Sequence, residues 1–205
     1  GMTPSQVAQK VADHVSNPTT THIAEGDYSR MDGTVNHLVR EFDKELLRTV
    51  FALEDWEYVE HWYDYTYNNQ IAAGHGVWYD QGTSQASGDP YTSVLNTARN
   101  AFMSYQCLCA TGLSAEGAYS NLGLHGGDDS LQRNIISTDS IRICADWGFT
   151  LKFDIRQPGE TVSFLSRHFS PAVWHGSTEN ICSFIRMLSK FHLSGLTNDV
   201  PPGVI

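Results

Sequence analysis

Apolar residues at Val35, Leu38, Val39, Phe42, Leu46, Leu47, Val50 and Phe51 recur at three- and four-residue steps, the period that lines one face of an α-helix. The pattern predicts an amphipathic helix from about 34 to 52 whose apolar stripe is core packing, with Asp32-Gly33-Thr34 as its capping segment. A second helix is predicted over Thr92–Leu108, burying Val94, Leu95, Ala98, Ala101, Phe102 and Tyr105. A third runs over Ser137–Trp147 and stops at Gly148. Strands are predicted at Thr21–Asp27, Phe149–Phe153 and Thr161–Arg167, and a β-hairpin from Ala118 through Ser130 and beyond. Residues 53–86 are rich in aromatics, Gly, Gln and Asn without a clean period, and read as an irregular insertion. A last helix is predicted at Ile181–Phe191, before a Pro201-Pro202-Gly203 tail that cannot be regular. The expected fold class is therefore α/β (α+β): three or four antiparallel strands backed on one face by helices, with a site on the other.

Length and composition narrow the function classes. A chain of 205 residues with 40% hydrophobic positions can bury one core, and no repeat or linker divides it. No apolar run approaches the roughly 20 residues that span a bilayer. Four cysteines without C-x-x-C spacing predict reduced, mostly buried thiols in a cytosolic setting, and no zinc site. The formal charge of −10 argues against nucleic-acid binding through phosphate neutralisation alone. It fits an acidic metal centre, or a fragment whose basic parts lie elsewhere.

The chemistry concentrates in L-G-L-H-G-G-D-D-S, Leu122 to Ser130. Adjacent Asp128 and Asp129 repel one another, and a hard divalent cation at a strand–turn–strand tip relieves that repulsion. Gly126 and Gly127 suit a tight turn needing positive φ and close approach. A surface turn with two solvated aspartates is the plain alternative. Asp27 ends the first predicted strand, with Asp32 five residues on, and reaches the same cations if that strand lies beside the hairpin; otherwise it is a cap. Ser87-Gly88 forms a flexible loop, and Thr92 and Asn96 share one face of the following helix. His125 reads as a hydrogen-bonded strand histidine, and Trp56, Trp62 and Trp78 as packing residues more than base-stacking ones.

The series D-x4-D (Asp27, Asp32), S-G-x3-T-x3-N (Ser87, Gly88, Thr92, Asn96) and G-D-D (Gly127 to Asp129) resembles motifs A, B and C of viral RNA-dependent RNA polymerases. A-D-W-G-F-T-L-K is similar to motif D, and V-S-F-L-S-R-H-F (Val162 to Phe169) to motif E. D-Y-S-R-M-D-G-T and the aromatic insertion are most similar to nodavirus-like positive-strand viruses. The resemblance implies a polymerase palm over residues 21–169, with 1–20 an N-terminal segment, 53–86 a fingers-like insertion and 170–205 the start of a thumb. It implies that Asp27, Asp128 and Asp129 hold two Mg²⁺ ions (Mn²⁺ being possible). Asp32, Thr92 and Asn96 would select the ribose 2′-hydroxyl, and Ser87 and Gly88 would form the mobile loop beside template and incoming nucleotide. Either Lys152 or Arg156 would donate a proton to pyrophosphate, and Phe164, Leu165 and Arg167 would lie beneath the primer strand.

Implied partners are an RNA template, the nascent strand, nucleoside triphosphates and the missing fingers and thumb regions, with no membrane segment in this stretch. The implied location is the host cytoplasm, the full-length protein acting at membrane-associated replication sites. The basic motif F has no counterpart here, so the chain alone is expected to bind Mg²⁺ weakly and polymerise poorly. The alternatives are a reverse transcriptase, whose usual bulky aromatic is replaced by Asp32, a non-catalytic polymerase-like scaffold, and a two-metal nuclease, which has no use for Thr92 and Asn96.

Overall fold

A four-stranded antiparallel sheet forms the centre of the computed structural model, which describes residues 1–135 and 137–190, apart from the side chains of 72–74, 137 and 190. In chain order the elements are α1 (Pro4–Val15), β1 (Ile23–Tyr28), a 3-10 turn at Met31–Thr34, α2 (His37–Val50) and α3 (Trp56–Asp64). Then come β2 (Gln70–Gly74), β3 (Val77–Asp80), α4 (Thr92–Ala110), α5 (Ala115–Ser120), β4 (Leu124–Gly126), β5 (Asp129–Arg133) and α6 (Ser137–Asp146). The chain continues through β6 (Leu151–Arg156), β7 (Val162–Phe164), β8 (Arg167–Phe169), a 3-10 turn at Pro171–His175, β9 (Asn180–Cys182) and α7 (Phe184–Lys190). The central sheet has the order β4-β5-β1-β6, and β7-β8-β9 form a second antiparallel sheet.

Strand alternation sorts β1 into two faces. Ala24 and Tyr28 pack toward α4, α6 and α2, contacting groups that include Cys107 and Met103. Ile23 points the other way, into a cluster of Val11, Val15, Leu131, Val162, Phe169 and Val173. Each such buried aliphatic side chain contributes about 1.5–3 kcal/mol. Glu25 and Asp27 share the Ile23 face by the same alternation. The face that carries Ile23 is thus partly covered by α1 and the second sheet, and from Glu25 to Asp27 it borders an open cleft.

The helices form where the periodicity puts them, but two bury a different face. The cap of α2 is Asn36, whose side chain accepts from the Val39 N–H at 3.2 Å, while Asp32-Gly33-Thr34 lies in the preceding 3-10 turn. Leu38 is 52% exposed and Val50 69%, and Arg40 and Asp43 are buried in their place. In α4, Val94 is 68% exposed, whereas Thr92, Asn96, Arg99 and Asn100 are buried with Leu95, Met103 and Cys107. Hydropathy alone mis-phased these helices because their inward faces satisfy a polar network.

Other boundaries shift for local reasons. Ala118–Ser120 is helical, inside α5, whose N-cap Ser114 accepts from the Gly117 N–H at 3.1 Å. The expected strand at Thr161–Arg167 is two strands, because Leu165 and Ser166 both take positive φ (50° and 59°) and turn the chain, the backbone of a two-residue hairpin turn. Phe149 is buried edge-on against Tyr28, and the strand starts later, at Leu151, and runs to Arg156. The 53–86 stretch is less irregular than expected, holding α3 and the β2-β3 hairpin. Trp62 packs on Tyr91 and Trp56 under Arg48, but Trp78 is exposed. All four cysteines are free; Cys107 and Cys144 are buried, Cys109 half-buried and Cys182 exposed. The predicted last helix begins instead at Phe184; its end and the Pro201-Gly203 tail lie outside the described residues.

Two consequences are measurable. A Cβ on Gly123 would lie 2.0 Å from the Leu131 backbone oxygen, which the strand pairing holds in place. Gly123→Ala is therefore expected to destabilise the chain by about 1–3 kcal/mol or more, read from the urea midpoint. Burial pushes His14 and His125 down to about 4 from their ordinary 6.5, with Arg133 adding to the effect on His14. Their folded-state pKa is the lower one, so stability is full above pH 6.5 and falls as pH drops towards 4. Each contributes up to roughly 3 kcal/mol, and His14→Gln should flatten the urea-midpoint profile across that window.

Candidate active site

The open end of the sheet is a cleft of about 1030 Å³ bounded by β1, the β4-β5 turn, the segment before α4 and the N-terminal turns of α4. Continuing the register Gly26↔Ser130 by one residue sets Asp27 against Asp129. Asp128 sits in the turn, and all three aspartates line the cleft. Each glycine of the turn answers one requirement. Gly127 has φ +65°, and a Cβ on Gly126 would lie 2.7 Å from Leu165 Cδ2. From α4, Asn100 Nδ2 lies 3.1 Å from the carbonyl oxygens of Gly127, Asp128 and Asp129, and Thr97 Oγ1 accepts from the Gly127 N–H at 2.8 Å. The turn is pinned through its backbone, and the Asp129 carboxyl takes one further hydrogen bond, from the Leu165 backbone. His125 sits behind it, within 3.3 Å of Asn100 Oδ1 and Gln132 Nε2, a hydrogen-bonded strand histidine as expected.

Charge in the cleft is one-sided. Glu25, Asp27, Asp32, Asp89, Asp128, Asp129 and Asp154 line it, against the cations Arg30 and Arg186. Burial raises the Asp129 carboxyl, and the charges of Asp128 and Asp27 raise it further, with Arg186 opposing. A set of hard oxygen donors in mutual repulsion fits Mg²⁺ or Mn²⁺. Among the described residues no three Asp, Glu, His or Cys side chains close a ready-made metal cage.

The second group gathers around Asp32. Ser87 Oγ donates to its Oδ2, Asn96 Nδ2 donates to its Oδ1 at 2.6 Å, and the Gln85 N–H donates to its carbonyl at 2.8 Å. Thr92 lines the cleft but does not bond Asp32; its hydroxyl donates to the Ala86 carbonyl at 2.7 Å and accepts from Gln85 Nε2 at 3.2 Å. Gly88 is exposed at the loop tip and outside the cleft lining.

Lys152 and Arg156 separate cleanly. Arg156 bonds Glu25 at 3.0 Å and lies 3.7 Å from Asp154, and Glu25 also accepts from the Ser163 N–H at 2.6 Å. Lys152 stands opposite Asp27 in the β1-β6 register and is exposed. Phe164 is core, Leu165 packs on Gly126, and Arg167 donates to Asn180 at 2.7 Å.

Sequence reading missed Arg30, which lines the cleft at φ 53°, Arg186, and a buried Arg40-Asp43-Arg99 cluster. Arg99 was findable: it lies three residues after Asn96, on the helix face already assigned to Thr92 and Asn96.

An antiparallel sheet with paired aspartates at a hairpin tip, a third at the facing strand end and a helix-borne amide beside them defines a polymerase-palm architecture. The sequence profile of the family Viral RNA-dependent RNA polymerase matches residues 1–185, and the chain belongs to that family. It is 29% identical over 212 residues to the RNA-directed RNA polymerase of Nodamura virus (strain Mag115), covering 98% of this chain and 19% of that protein. It is 32% identical over 200 residues to that of Greasy grouper nervous necrosis virus, covering 92% and 20%. The chain therefore spans about a fifth of the length of these relatives. Its fold is similar to the RNA-dependent RNA polymerase of a human picorbirnavirus, with TM-score 0.76 at 16% identity, covering 99% of this chain and 39% of that one.

Proposed function

We propose that this chain is the catalytic palm of a polymerase that copies an RNA template in viral genome replication, transferring a nucleotidyl group from a nucleoside triphosphate to the 3′ end of the nascent strand. What carries the reading is the convergence of Asp27, Asp128 and Asp129 on one cleft that also presents Asp32. Asp27 and Asp128, with Asp129 beside them, would hold two Mg²⁺ ions (Mn²⁺ as an alternative), which when bound activate the attacking hydroxyl and stabilise the leaving oxygen. Asp32 offers its carboxylate to the ribose 2′-hydroxyl, oriented by Asn96 and Ser87; Thr92 supports the loop that carries Ser87 and Gly88. Lys152 is the better proton donor to pyrophosphate, since it pairs with Asp27 in the strand register, next to the cleft, while Arg156 is committed to Glu25.

The palm corresponds to residues 21–169 with an insertion at 53–86, and 170–205 begin a thumb; fingers and the rest of the thumb belong to the complete polymerase. The host cytoplasm is the proposed site of action. Among the described residues no helix is long and apolar enough to cross a membrane.

Asp32→Ala in the complete polymerase is expected to erode the preference for ribonucleotides over 2′-deoxyribonucleotides by about tenfold, the effect of roughly 1.4 kcal/mol in discrimination. The check is the ratio of kcat/KM for the two substrates on one primer–template, and an unchanged ratio removes Asp32 from the role. Steady primer extension by the 205-residue chain alone would overturn the view that it needs its fingers and thumb.

A further inference from the structure

Asn96 has a fixed orientation, and a buried ion pair fixes it. Its Nδ2 donates to Asp32 at 2.6 Å while its Oδ1 accepts from Arg99 Nη1 at 2.8 Å. A guanidinium has no acceptor and an ionised carboxylate no donor. Flipping the amide would set donor against donor on one side and acceptor against acceptor on the other. The orientation therefore follows from the chemistry of the two neighbours.

Arg99 is itself locked. It is 1% exposed, and its Nε and Nη2 form a two-point contact with Asp43, the Nε bond at 2.9 Å. Asp43 is completely buried and also accepts from Tyr63 Oη; burial and then the Asp43 charge raise that phenol, which keeps it a donor. Arg40, 4.0 Å from the same Asp43 oxygen that Arg99 Nη2 contacts, donates to the carbonyls of Thr83 at 2.9 Å and Ser84 at 2.8 Å, in the loop that leads to Ser87. Both donors that hold the Asp32 side chain, Asn96 and Ser87, thus hang from one buried cluster joining α2, α3, this loop and α4.

We infer that Arg99, held by Asp43, is a positioning residue for sugar selection: it dictates which atom of Asn96 meets Asp32 and so holds the Asp32 carboxylate where a ribose hydroxyl must find it. The inference rests on the polymerase reading above. Arg99 lies behind Asn96, outside the cleft lining, and acts through it. Lysine cannot replace it, because an ammonium lacks the planar fork that reaches Asp43 with one edge and Asn96 with another.

The test uses the complete polymerase carrying this chain, with kcat/KM for a ribonucleoside triphosphate and its 2′-deoxy analogue measured on one primer–template. Arg99→Lys is expected to lower the ribose preference roughly three- to tenfold, the worth of one hydrogen bond in selectivity. Arg99→Met combined with Asp43→Leu removes both members of the Arg99–Asp43 pair, although Arg40 and Tyr63 lose Asp43 as well, and is expected to lower it as much. A melting curve reports whether each variant folds; if the double variant does not, Arg99→Lys decides. An equal slowing of both substrates, with the ratio unchanged, marks a merely structural role and overturns the inference. Asp32→Ala separates the two levels: a changed ratio there with an unchanged ratio in Arg99→Lys refutes Arg99 alone. An unchanged ratio in Asp32→Ala refutes the sugar-reading site and the inference with it.

Discussion

Asp128→Ala in the complete polymerase is expected to reduce RNA synthesis by at least about a thousandfold, a barrier increase of roughly 4 kcal/mol, while the protein stays folded. The activity loss follows from removing one of the carboxylates of the proposed cation site, since two-metal chemistry would depend on both ions for the attacking and leaving oxygens. The preserved fold follows from how the turn is held. Asn100 and Thr97 grip backbone atoms of residues 127–129, and none of those bonds involves the Asp128 side chain. A cleft lined by seven acidic residues should even relax slightly when one is removed. Single-nucleotide extension with a melting curve alongside provides the check. Activity within tenfold of the unsubstituted enzyme would mean that the tandem aspartates do not carry the chemistry.

Asp43→Ala is expected to have the largest effect on stability. The substitution leaves Arg40 and Arg99 buried without their shared counter-ion and strips Tyr63 of its acceptor. Removing one partner of a buried ion pair costs about 3–5 kcal/mol, against total stabilities of roughly 5–15 kcal/mol for ordinary domains. The urea midpoint should fall by more than about 1 M at the slopes typical of small proteins. A control exists within the same helix: Glu45 pairs with Arg48 at the surface, and Glu45→Ala should cost less than about 1 kcal/mol, as exposed pairs do. Equal effects for the two substitutions would show that the buried cluster is not a keystone of the fold.

Much of the site was legible because its chemistry is carried by adjacent or closely spaced residues. Gly126-Gly127-Asp128-Asp129 announces a turn with clustered charge, and the turn is there, one glycine supplying positive φ and the other room for Leu165. Asp32 and Asn96 were assigned together and are hydrogen-bonded. What the sequence hid was long-range. Nothing local distinguishes Asp43 of α2 from an ordinary surface carboxylate; the packing of α3 and α4 against it makes it the most protected acid among the described residues. The same network explains why apolar periodicity located α2 and α4 but misjudged their buried faces. Thr92, which its spacing sets on the Asn96 face, does line the cleft, but its hydroxyl donates to the loop carbonyl of Ala86 and not to Asp32. The two-residue turn at Leu165-Ser166 has no glycine to reveal it, so two strands read as one.

Mn²⁺ located by anomalous scattering in crystals of the polymerase soaked with the metal and a non-hydrolysable nucleoside triphosphate tests the central claim most directly. Peaks are expected between Asp27 and the Asp128-Asp129 turn, within about 2.0–2.4 Å of carboxylate oxygens and bridging to the triphosphate. Metal density elsewhere in the cleft, at Asp89 or Asp154 for example, with Asp27 and Asp128 unligated, would contradict the account.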